Sequence, residues 1–156
     1  MEVSQYTYMQ QVGGVDCDPV AGELTYGLER LAMYVFNVDN VYDLPFNDPQ
    51  SPAFKTYGDV YLENERQQST FNFEGSDVVV LKRQFEDMEA TVKRLLETKA
   101  SHPMVLPAYD HVLKASHLFN LMDARGAIAV AERQSYIGRI RDLCKACATA
   151  WVALEA

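Results

Sequence analysis

The sequence is poor in the features that mark a secreted, membrane-spanning or metal-built protein. Its 3 cysteines in 156 residues are an odd, sparse set that makes no disulfide framework and suits a reducing cytoplasm. No apolar run approaches the roughly 20 residues of a membrane-spanning helix, and the polar opening residues show no secretory signal pattern. His102, His111 and His117 have no metal-ligand spacing and read as structural or surface residues. Bases are also scarce: 14 Lys and Arg stand against 22 Asp and Glu, a net charge of −8. That balance argues against a simple nucleic-acid-binding module.

The shortage of bases is local. Residues 1–75 carry 12 acids and 3 bases, whereas residues 76–156 carry 10 acids and 11 bases. This shift places a domain boundary near Gly75-Ser76, giving regions 1–75 and 76–156. An acidic region can still bind a nucleotide where Mg²⁺ bridges carboxylates and phosphates. Apolar residues make up 48% of the chain, enough for a real core in one domain or two small ones.

The first region reads as strands, then a helix. Val3 to Val12 is rich in Thr, Tyr and Val and is expected to be a strand. Neither of its faces is cleanly apolar, so it either lines a pocket with polar groups that need partners or lies at a sheet edge with one side solvated. Gly13-Gly14 ends it, Asp18-Pro19 is expected to turn, and Val20 to Leu24 returns as a short antiparallel strand. Leu28, Leu31, Ala32, Val35 and Phe36 then follow helical spacing, predicting a helix over 28–38. Asn47 to Pro52 is a loop. Gly58 to Thr70 is expected to be helical, with Tyr57, Tyr61, Phe71 and Phe73 as packing anchors.

The second region reads as a helical bundle. Val78, Leu81, Phe85, Met88, Val92 and Leu95 step by threes and fours behind Ser76 or Asp77 as N-cap. Pro107 fits the first turn of a second helix ending near Leu121. Asp123 is placed as the cap of a third, with Ile137, Ile140, Cys144, Cys147, Trp151 and Leu154 along its seam. That seam decides the reading of Cys144-Lys145-Ala146-Cys147. A CxxC can bind zinc or cycle as a redox pair, but two seam cysteines without a second ligand pair read as packing, and no zinc is expected. Arg133, Arg139, Arg141 and Lys145 are expected on a solvated face.

The junction at Tyr26-Gly27-Leu28-Glu29-Arg30-Leu31 carries the most chemical information. Gly27 stands between strand and helix, where a missing side chain lets a ligand approach the backbone. The N–H groups that follow form a helix N-terminus, which suits phosphate oxygens. Arg30 adds a planar, permanent charge that can pair with phosphate or lie on an aromatic base. Glu29 could orient that guanidinium or accept from a ligand amine. On spacing alone, a glycine bend followed by a core helix with a surface Glu-Arg pair is the favoured reading.

Gly-Leu-Glu-Arg-Leu after such a strand resembles motif 3 of the class II aminoacyl-tRNA synthetases. The runs Met1–Gly14, Gly22–Tyr34, Thr56–Val60, Gln68–Glu74 and Phe119–Arg125 are together similar to the alpha subunit of bacterial tetrameric glycyl-tRNA synthetase. The resemblance implies an α+β fold: the C-terminal part of a class II antiparallel sheet, with the motif 3 strand and helix, followed by an α-helical bundle. It also implies ATP as a substrate with Mg²⁺, glycine, tRNA(Gly), and a beta subunit in an α2β2 tetramer. Arg30 would be the ATP-binding and catalytic arginine, with Glu29 and Gly27 beside it. Thr25 would meet the glycine ammonium, with Gln10, Gln11 and Glu23 as further glycine-pocket candidates. Glu2 and Gln5 resemble the position that meets Mg²⁺. The family's subunit is longer, and its first half carries motifs 1 and 2, so the chain is expected to be the C-terminal half and inactive alone. A non-catalytic paralogue and a docking module for the beta subunit are the competing expectations.

Overall fold

The computed structural model describes residues 1–155. Its elements are β1 (Ser4–Val12), β2 (Val15–Tyr26), α1 (Leu28–Phe36), α2 (Tyr57–Thr70), α3 (Val78–Glu97), α4 (Val105–Ala124) and α5 (Val130–Glu155), an α+β arrangement. Two compact units can be traced, Met1–Met9 with Pro19–Phe71 and Gln10–Asp18 with Asn72–Ala156. No described helix is long and apolar enough to cross a membrane.

β1 and β2 form a two-stranded hairpin. Its turn lies at Gly13-Gly14, whose φ values of 59° and 79° suit the two-residue hairpin loop that L residues rarely adopt. The expected turn at Asp18-Pro19 is therefore corrected: β2 runs unbroken from Val15 to Tyr26. A two-stranded ribbon has only edge strands, so a proline without an N–H can sit mid-strand at little cost. Gly13 has a second constraint. A Cβ there would lie 2.7 Å from the Lys145 Cα of α5, so the loop tip approaches the helix backbone more closely than any side chain permits.

α1 stops two residues earlier than its periodicity suggests, because Asn37 takes a left-handed φ of 52° and its N–H bonds back into the helix. A 3₁₀ turn at Val41–Asp43 leads to Leu44, the one buried apolar residue of its unit among those described. The loop that follows is closed by a bridge between Pro45 and Thr56, with Phe46 N–H donating to the Lys55 carbonyl at 2.9 Å. Thr56 then begins α2 with a capping box, exchanging bonds with Asp59. A short π-helix, Phe71–Gly75, ends the segment.

α3, α4 and α5 pack into two adjoining cores. Leu81, Phe85, Phe119 and Met122 centre one, and Val92, Val112, Leu143 and Cys147 the other. Each such side chain is worth about 1.5–3 kcal/mol of transfer from water. Asp77 is the α3 cap, its carboxylate accepting from Val79 and Val80 N–H at 2.8 and 3.2 Å. Ser76 is instead buried beside it.

Three expectations for this unit are corrected. Asp123 does not cap the last helix. It lies in the final turn of α4, which Gly126 ends at φ 64° with Ala127 N–H bonding the Met122 carbonyl at 2.9 Å. A left-handed glycine closes a helix more decisively than an aspartate three residues earlier can open one. α5 starts at Val130, where the Glu132 carboxylate accepts from Ala129 N–H at 3.3 Å. The α5 seam also ends early: Leu143 and Cys147 are buried, but Trp151 and Leu154 are 40% and 49% exposed. Burial pushes both the Cys144 and Cys147 thiols up from their ordinary value.

Arg139 is the third correction, since it is not on a solvated face. Its guanidinium lies 4.6 Å from the Phe85 ring centroid and 5.1 Å from that of Tyr136, and it pairs with Glu89 of α3. The hydrogen bond from Arg139 holds the Glu89 carboxyl below its ordinary value, against the opposing effect of burial. Arg139→Ala is expected to destabilise the bundle by about 2 kcal/mol at neutral pH. A carboxyl depressed in the folded state contributes stability above its unfolded value near 4.5 and loses it as pH falls through the folded value. The gap between variant and wild type in urea unfolding should therefore narrow in acid. A gap that stays constant with pH would exclude the pair as its source.

Candidate functional site

The strands and the first helix meet at a cleft. Gly27 N–H donates to the Val3 carbonyl at 2.9 Å, bringing the end of β2 beside the start of β1. α1 leaves from this junction with Gly27 as its N-cap, and Leu31 N–H closes the first turn on the Gly27 carbonyl at 2.9 Å. The first N–H groups of α1 have no partner within the helix and carry its positive dipole end. Gly27 has φ −80° and ψ 92°, a backbone open to any residue. A Cβ there would also make only ordinary contact, 3.4 Å from Arg30 Cδ. Neither the turn nor the local packing therefore requires glycine at this position.

Around this helix start lies an open cleft of about 340 Å³ lined by Glu2, Val3, Ser4, Gln5, Thr25, Gly27, Glu29 and Arg30. Arg30 Nη1 donates to the Glu2 carbonyl at 2.8 Å and lies 4.0 Å from the Glu2 carboxylate. That ion pair is more than half exposed on both sides, so it is worth little to stability and leaves the guanidinium available to an anion. Glu29 does not orient Arg30; its Oε1 accepts from the Tyr57 hydroxyl at 3.2 Å. Thr25 donates its hydroxyl to Glu23, which leaves the Thr25 oxygen free to accept.

Six of the candidate residues, Glu2, Gln5, Thr25, Gly27, Glu29 and Arg30, line this one cleft, although they come from two separate stretches of chain. Gln10, Gln11 and Glu23 do not line it. Gln11 donates to Asp16 at 2.6 Å near the hairpin turn, and Glu23 reaches the cleft only through Thr25. Val3, Ser4 and Tyr57 were not singled out for chemistry by the sequence. The first two flank Glu2 and Gln5 and would follow from taking the strand start as a wall. Tyr57 lies 28 residues from Glu29, and no spacing rule joins them.

The donor set bears on which ions could enter. Among the described residues no group of three or more His, Cys, Asp or Glu converges as a metal cage. Glu2, Glu29 and the Gln5 amide are oxygen donors on one cleft, the kind of sparse set that suits a Mg²⁺ ion keeping its waters and arriving with phosphate oxygens. An arginine, a helix N-terminus and a few carboxylates around an open cleft can take a polyphosphate by its oxygens and a cationic amine by the acids.

The family model described as glycyl-tRNA synthetase alpha subunit matches residues 1–156. The chain therefore belongs to the glycyl-tRNA synthetase alpha subunit family, a family of aminoacyl-tRNA synthetase ligases of protein biosynthesis.

Proposed function

We propose that this chain carries the motif 3 part of a glycine–tRNA ligase active site, and that the cleft at the start of α1 binds ATP and glycine. The observation that carries the reading is the placing of Arg30 at the helix N-terminus on the same cleft as Glu2, Gln5, Thr25 and Glu29. The reaction has two transfers. The glycine carboxylate attacks the α-phosphate of ATP in line and pyrophosphate leaves. The terminal hydroxyl of tRNA(Gly) then attacks the acyl carbon of glycyl-adenylate, and AMP leaves.

Neither transfer asks for a protein nucleophile. Both need positioning and stabilisation of the charge that develops on phosphate. Arg30 and the first N–H groups of α1 would offset that charge with positive charge, and the Arg30 plane can also lie against the adenine. Thr25 accepts from the glycine ammonium. Glu2 and Gln5 would hold a Mg²⁺ ion brought by the nucleotide, which when bound neutralises phosphate charge. Selection for glycine would be steric, with an added methyl group meeting the walls of the completed pocket. A pocket that excludes larger amino acids has less need of editing than one that must exclude smaller ones.

The reading includes partners. The chain is proposed to act in the cytoplasm with motif 1 and motif 2 elements of the same catalytic domain and with a beta subunit in an α2β2 assembly. On this view region 1–75 is catalytic and region 76–156 is a helical bundle. Exposed apolar surface on the first helix supports a further covering element: Leu28, Tyr34 and Val35 are 71%, 81% and 75% exposed. Glycine-dependent exchange of pyrophosphate into ATP by the assembled synthetase tests the function. Exchange driven by another amino acid, or none with glycine, would overturn it.

A further inference from the structure

Tyr57 occupies an unusual place for a residue outside the cleft. It opens α2, yet its hydroxyl donates to Glu29 Oε1, in the first turn of α1, at 3.2 Å. Its backbone is anchored independently: Tyr57 N–H donates to the Leu44 carbonyl at 2.8 Å, next to the Pro45–Thr56 bridge and the Thr56–Asp59 capping box. The ring lies 4.6 Å from that of Tyr61 and 6.5 Å from that of Tyr42. The residue after it is a glycine whose Cβ would stand only 3.0 Å from the Tyr42 carbonyl, so the helix start is pressed against the preceding turn. The phenol is thus mounted on a fixed frame, and the one polar atom it presents reaches a carboxylate of the cleft. Desolvation, with Glu29 adding to it, pushes the phenol up from its ordinary value.

We infer that Tyr57 is a positioning residue for the nucleotide half of the site, holding one Glu29 oxygen so that the other is presented to an amino group of the bound nucleotide. The inference rests on the proposed assignment of this cleft to ATP and extends it to a residue of α2. A free glutamate at a helix N-terminus samples several rotamers, and a ligand that needs one of them must fix it on binding. The hydrogen bond to a charged acceptor makes that choice in advance. Tyr57 touches no reacting atom.

The test is steady-state pyrophosphate exchange by the assembled synthetase carrying Tyr57→Phe, Glu29→Gln, or both. Phenylalanine keeps the ring and removes only the oxygen. The expected result is an ATP KM raised about five- to tenfold for Tyr57→Phe, with glycine KM and Tm nearly unchanged. Glu29→Gln should raise ATP KM at least as far, and the double variant should be no worse than Glu29→Gln alone, because Tyr57 acts through that carboxylate. Four results would overturn the inference. An unchanged ATP KM in Tyr57→Phe beside a defect in Glu29→Gln would remove Tyr57 while leaving the cleft assignment standing. A defect in neither would remove the assignment of Glu29 to the nucleotide as well. Losses that multiply in the double variant would show that the two act separately. A lowered Tm with ATP and glycine KM rising together would mark a packing role.

Discussion

Replacing Arg30 with alanine in the assembled synthetase is expected to lower glycine-dependent pyrophosphate exchange by about 10²–10³-fold, or about 3–4 kcal/mol of transition-state stabilisation. Circular dichroism and Tm should hardly move. Arg30 makes one backbone bond to Glu2 and one loose, exposed ion pair, neither of which is worth much to folding. Its value would lie in what it offers a polyphosphate: a fixed charge and a planar fork at the N-terminus of α1. Lysine supplies the charge without the fork or the stacking face, so Arg30→Lys should recover only part of the loss. Exchange within a few-fold of wild type in Arg30→Ala would remove the arginine from the reaction.

The second large effect concerns the chain by itself. Among the described residues of Met1–Met9 and Pro19–Phe71, only Leu44 is a buried apolar residue, whereas the helical unit buries two clusters around Phe85 and Val92. Hydrophobic burial is the main force opposing chain entropy, so stability should be divided very unevenly. For the 156-residue chain purified alone, amide protection in α3, α4 and the buried turns of α5 should reach about 10³–10⁴. Protection in α1 and in Pro19–Tyr26 should stay near or below about 10. The same preparation should show no glycine-dependent exchange, and its exposed apolar surface should favour self-association. Uniform protection together with exchange activity would mean that the chain needs no covering element.

Much of the helical unit was legible because each of its signals is local. The three-four stepping from Leu81 to Leu95 marks the buried face of α3, and Asp77 stands where a cap must stand. The junction around Gly27 was legible for another reason: it combines a strand end, a helix start and a chemically distinctive side chain within six residues. The errors arose where two local signals compete. Asp18-Pro19 and Gly13-Gly14 both look like turns, and only the two positive φ values show which one bends the chain. Asp123 and Gly126 both look like helix boundaries, and the left-handed glycine governs. Arg139 looked solvated because its partners Glu89 and Phe85 lie on another helix. The link from Tyr57 to Glu29 was illegible for the same reason, being made by tertiary packing across 28 residues.

The cleft at the start of α1 is the central claim, and a footprint tests it most directly. The assembled synthetase would be saturated with a non-hydrolysable glycyl-adenylate analogue and followed by amide hydrogen exchange. The expected result is slowed exchange confined, within this chain, to residues 2–5, 25–31 and the start of α2 at Tyr57, with α3, α4 and α5 unchanged. A footprint on the helical unit, for example on the separate cleft formed by Met88, Leu113 and His117, with residues 25–31 unaffected, would contradict the account.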